Sequence, residues 1–134
     1  MSYLERWKVA DLVVKDVVDA VEQSERIFHV VDFDEDEAVC KHATWQRATE
    51  YLLKSALHLW HSHHTKLAAP RIWYEPDGSI DLHWRVQHRE LLINIPEEEA
   101  MPASFYGDNK AGQIVKGRLD LSNNNQWLLM WLMQ

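Results

Sequence analysis

The chain reads as an α+β protein: an N-terminal antiparallel pair of long helices packed on a four- or five-stranded antiparallel meander, closed by a short C-terminal helix. Three observations carry that reading. Apolar residues recur with a helical period up to about Lys66 and alternate with a period of two from Arg71 onward. Pro76-Asp77-Gly78 separates two alternating runs, as a hairpin turn does. No linker, repeat or low-complexity tract interrupts the 134 residues, so 1–134 is one expected domain. Within it, 1–69 is the helical hairpin, 70–120 the antiparallel sheet and 121–134 the C-terminal helix.

The first helix is expected from Tyr3 to about Gln23, with Tyr3, Trp7, Ala10, Val14, Val17, Val18 and Val21 on one face. Ser2 is its candidate N-cap, and Glu5 completes a capping box. Val9, Leu12 and Val13 fall off that stripe. Either the helix is buried on two sides, or it offers a contact face to a second copy of the chain or another protein. Ile27–Val31 reads as strand or loop. The second helix is expected from Glu37 to Lys66, with Asp34 as N-cap and acids where a helix N-terminus favours negative charge. Its apolar stripe is Trp45, Ala48, Leu52, Ala56, Leu59, Trp60, His63 and Leu67. Arg47, Lys54, His58, His61 and Thr65 oppose it. Ala68-Ala69-Pro70 ends the helical region.

Strands follow at Arg71–Glu75, Ser79–Gln87, Leu91–Ile95, Ala103–Tyr106 and Gln113–Arg118. Alternation sends Ile72, Tyr74, Ile80, Leu82, Trp84, Leu91, Ile93 and Ile95 inward. Trp73, His83, Arg85, Leu92, Asn94 and Tyr106 then face outward. The stretch "SNNN", Ser122 to Asn125, supplies N-cap candidates for a last helix, Gln126–Met133.

Chemistry is excluded more readily than assigned. A formal net charge of −7 argues against direct nucleic-acid binding, which needs clustered cations. The acids are spread: residues 1–69 carry 8 basic and 12 acidic groups, and 70–134 carry 6 and 9. The single Cys40 permits no internal disulfide and fits a reducing compartment. No apolar run has membrane-spanning length and no signal-peptide core opens the chain, so a cytoplasmic location without membrane association is expected. Asp32, Asp34 and Asp36 start like a calcium loop, but Glu37 stands where the turn glycine belongs and Ala43 where the closing glutamate belongs. His58, His61, His63 and His64 cluster in sequence, yet helical phase sets His63 toward the apolar stripe and His58 and His61 away from it. Cys40 and His42, two residues apart on a helix, diverge. No glycine-rich phosphate loop or nucleophile elbow exists, and Glu75 with Asp81 reads as an ordinary solvent-side carboxylate pair. No catalytic residue, cofactor or resident metal is therefore expected.

What remains is the outward sheet face. Trp73, Leu92 and Tyr106 beside His83 and Arg85 exceed what solvation requires, and seven tryptophans in 134 residues add weight to interface use. The expected partner is a protein bound through that face. A basic partner would add Asp32, Asp34, Glu35, Asp36 and Glu37, and a homodimer through the first helix is a further expectation. The alternative is a metal-dependent hydrolase using His58 and His61 with a carboxylate from elsewhere.

The segments "PRIWYEPDGSIDLHW", "ELLINIP", "ASFYGD" and "IVKGRLD", followed by "WLLMWL", cover the last half of the chain. In them it resembles a set of small uncharacterised bacterial and phage-borne proteins that look like companions of toxin–antitoxin or anti-phage defence modules. The resemblance implies an antiparallel meander and a non-enzymatic, antitoxin- or immunity-like binding role. It transfers no catalytic residue. Its fixed points are Pro70, Asp77, Gly78, Trp84, Gly107 and Gly117.

Overall fold

The computed structural model describes residues 12–32, 41–123 and 126–134. A 3-10 turn, Leu12–Val14, leads into helix α1, Lys15–Asp32; helix α2 is His42–His63. Five strands follow: β1 Arg71–Tyr74, β2 Ile80–Val86, β3 Arg89–Ile95, β4 Ala103–Asp108 and β5 Ile114–Leu119. Helix α3, Trp127–Met133, closes the chain. The strands pair in sequence order, each antiparallel to the next, so the α+β class and the antiparallel sheet stand as expected. One apolar cluster draws on both helices, the sheet and α3.

Helix α1 corrects the reading of Ile27–Val31 as strand or loop: the helix runs through to Asp32. Val21, Ser24 and Phe28 continue the buried stripe at helical spacing, and the Phe28 ring packs on Trp45, His42 and Tyr74. Burial thus overrides the β-branched preference of that run. Ser24 ties three elements together. Its hydroxyl donates to the Val21 carbonyl at 2.7 Å and accepts from Trp45 Nε1 at 2.9 Å, and its carbonyl accepts from the Tyr74 hydroxyl at 2.5 Å. The expected capping box at Ser2 and Glu5, and the acidic stretch with Cys40, lie outside the described residues, apart from the backbone of Asp32.

Helix α2 buries Trp45, Ala48, Leu52, Ala56 and Leu59 as expected, but stops at His63 rather than Lys66. His64 takes φ 50°, and the Thr65 N–H reaches back to the Leu59 carbonyl at 3.2 Å. That is a left-handed C-terminal stop made without glycine. Thr65 therefore leaves the helix, while Leu67 stays buried in the segment that follows. Arg47 also departs from its solvated role: its guanidinium donates to the Pro96 carbonyl at 2.5 Å and holds the β3–β4 connection against α2.

The sheet buries Ile80, Leu82, Trp84, Leu91, Ile93 and Ile95 on one face, with Ile72 and Tyr74 partly buried. Trp84 Nε1 donates to the Ala68 carbonyl at 2.7 Å, so the helix-to-sheet segment packs on β2. Gly78 takes φ 88° in the Pro76-Asp77-Gly78 turn, where Asp77 accepts from the Ser79 N–H and hydroxyl at 2.9 and 2.6 Å. The β2–β3 turn is tighter than expected: Gln87 at φ 56° turns the chain so that Arg89 and Glu90 already belong to β3. Strand β4 likewise runs to Asp108, making Gly107 a strand residue on which Trp131 of α3 closes. Helix α3 has Gln126 at its N-cap with no side-chain cap, and Ser122 instead bonds Asp120 in the preceding turn. Arg89 fastens the other end of α3, donating to the Trp131 carbonyl with its guanidinium over the Trp131 ring.

Candidate functional site: the outer face of the sheet

Register places the outward residues in three rows across the sheet. Arg71, His83, Leu92, Tyr106 and Lys116 are successive Cα partners in the first; Trp73, Asp81, Asn94, Ser104 and Arg118 in the second. The third runs Arg85, Glu90, Asp108 and Ile114. All five expected contact residues, Trp73, His83, Arg85, Leu92 and Tyr106, therefore share one face. Trp73, Leu92 and Tyr106 stay 49%, 37% and 47% exposed. A concavity of about 610 Å³ opens between them, lined by Trp73, His83, Leu92 and Tyr106 but not by Arg85.

Two charge clusters flank this centre, and they differ in how they are satisfied. At one side Glu90 accepts from His83 Nε2 at 2.7 Å and from Lys110 Nζ at 3.0 Å, with Arg85 Nε at 3.5 Å. Those two hydrogen bonds, the His83 bond foremost, hold the Glu90 carboxyl down at about 2, and Glu90 in turn raises Lys110 above the usual ammonium value. Lys110 is aimed by its turn. It takes φ 61°, its N–H bonded to Asp108 Oδ1 at 2.6 Å, while Asn109 Oδ1 accepts from Ala111 and Gln113.

At the other side Glu75 and Asp81 both line the concavity. Hydrogen bonding to Asp81, foremost, raises Glu75 above the ordinary carboxylate value, with partial desolvation and the charges of Asp81 and Asp77 adding to it. The pair is perturbed, which corrects its reading as ordinary. Asn94 Nδ2 fixes Asp81 at 2.7 Å and the Ser79 hydroxyl at 3.0 Å. Among the described residues, no Lys or Arg nitrogen comes within 4.0 Å of Glu75 or Asp81. The Arg71 guanidinium instead lies 4.5 Å from the centre of the Trp73 ring.

Sequence reasoning missed Arg71, Glu90, Asp108 and Lys110 on this concavity. Parity alone reaches three of them: Arg71 precedes Trp73 by two, Glu90 precedes Leu92 by two, and Asp108 follows Tyr106 by two. Lys110 has no such signal, because a turn delivers it.

The histidine cluster differs from its helical phasing. His63 is exposed rather than directed into the apolar stripe, and its ring lies 6.4 Å from His58, whose Nε2 meets the Ser62 hydroxyl at 3.5 Å. His64, beyond the helix end, packs edge-on against Trp60. Among the described residues no group of three or more His, Cys, Asp or Glu side chains is placed to hold a metal ion, and no helix is long and apolar enough to cross a membrane.

Fold and face together define the class: an α+β chain whose five-stranded antiparallel sheet carries an exposed aromatic and charged outer surface. No family model, curated protein or solved structure matches it.

Proposed function

We propose that this protein is a binding subunit without catalysis of its own, an accessory of the antitoxin, immunity or defence-associated kind in a bacterial system, that engages a protein partner through the outer face of its sheet. The observation that supports this most is the half-exposure of Trp73, Leu92 and Tyr106 around one concavity. Fully burying such a side chain is worth about 1.5–3 kcal/mol, and folding leaves part of that gain unrealised at three neighbouring positions. Polar residues suffice on a face that meets only water, whereas aromatic and arginine anchors dominate contact surfaces. Helices α1 and α2, as an antiparallel hairpin, are in this reading the scaffold behind the inner face. The acidic residues 32–37 are a second contact for a basic partner. The resemblance of Pro70–Asp120 to companions of toxin–antitoxin and defence modules supports the setting.

The test is affinity capture from the native host with wild-type protein and a Trp73→Ala, Tyr106→Ala double variant. The variant is expected to melt almost where wild type does and to lose the partner that wild type retains. Equal capture by both, or a partner lost only because the variant unfolds, overturns the reading.

A further inference from the structure

Resting on that reading of the face, we propose that the concavity receives a basic side chain, an arginine or lysine presented by the partner polypeptide, with Glu75 and Asp81 as its carboxylate anchor and Trp73 as its aromatic wall. Charge complementarity selects this occupant. Four carboxylates line the concavity (Glu75, Asp81, Glu90, Asp108) against two fixed cations, Arg71 and Lys110. Both cations are engaged, Lys110 by Glu90 and Arg71 by the Trp73 ring. Glu90 is contacted from three directions, by His83, Arg85 and Lys110; the Glu75–Asp81 pair has no cation among the described residues.

The pair is also built to be used. Asp81 is the Cα partner of Trp73 across the hairpin, so anchor and wall sit side by side. Asn94 pins Asp81, Ser79 bonds Asn94, and Asp77 bonds Ser79, which fixes the anchor before any ligand arrives. Glu75 and Asp81 present their carboxyls to the same concavity. A guanidinium supplies parallel N–H donors and a full charge to the same oxygens, and its plane stacks on indole. An anionic occupant meets repulsion there, and a purely apolar one would desolvate the pair without compensation.

The experiment titrates ¹⁵N-labelled full-length protein with two blocked peptides, acetyl-Gly-Arg-Gly-amide and acetyl-Gly-Glu-Gly-amide. The Trp73 indole N–H signal is assigned by its loss in Trp73→Phe. The arginine peptide is expected to shift that signal saturably and the glutamate peptide to leave it in place. Glu75→Gln with Asp81→Asn should weaken the arginine peptide roughly tenfold. A charge-matched control on α1, Asp16→Asn with Asp19→Asn, should bind as wild type does. A flat arginine titration, equal response to both peptides, or equal weakening by the control overturns the proposal. Partner capture that still depends on Trp73 and Tyr106 would then leave the binding face standing and remove only its preference for a basic residue.

Discussion

Glu75 makes the stability of the fold depend on pH. Its folded-state pKa lies above its ordinary value, chiefly through the bond to Asp81. Such a group contributes stability that is fully present below the unfolded value and is lost as pH rises through the folded one. Above that raised value Glu75 gives up its proton and its charge meets that of Asp81. Glu75→Gln replaces that proton with a permanent amide donor. Its urea midpoint, relative to wild type, should therefore rise more at pH 7 than at pH 4. The opposite ordering, or a pH-independent difference, would show that the pair is not coupled. Glu90, the other perturbed carboxylate, has the reverse sign: its bonds from His83 and Lys110 stabilise the fold above the unfolded carboxylate value, and that contribution fades as pH falls toward about 2.

Among the elements, strands were more legible than stops. Alternation named the inward faces of β1, β2 and β3, because burial on one side of a sheet imposes a period of two whatever the loops do. The places where the reading slipped are residues in left-handed conformations without glycine: His64, which ends α2 early; Gln87, which brings Glu90 into β3; and Lys110, which carries an ammonium to Glu90. No residue-type signal marks such positions, because surrounding packing and hydrogen bonds impose them. The same blind spot hid two residues of the candidate site, Glu90 and Lys110, since both depend on those two turns. Phe28 shows the converse, a helix extended by a tertiary contact that local propensity opposes. Gly107 yields the test at this scale. A methyl group there would stand 2.8 Å from Val115 Cγ2 and 2.9 Å from the Trp131 ring. Gly107→Ala should cost about 1–3 kcal/mol of stability by prying α3 from β4, measured by denaturant unfolding. A neutral result would mean that α3 does not close on the sheet there.

At the scale of the molecule, Ser24 is the knot through which α1, α2 and β1 hold one another. Ser24→Ala removes the acceptor of the Trp45 indole N–H bond at 2.9 Å and should cost about 1–3 kcal/mol. With one core spanning helices and sheet, the loss should lower the helical circular-dichroism transition and the tryptophan-fluorescence transition together. Two separated transitions would instead divide the helices from the sheet as folding units. The meander has a different kind of limit at its far edge. Among the described residues, strand β5 has no partner on its outer side, the usual template for sheets growing from molecule to molecule. Two β5 strands meeting antiparallel about Gly117 would set Lys116 of each against Arg118 of the other, cation facing cation on the outer face. In that register the strand's own charge opposes pairing of two β5 edges beside the concave surface.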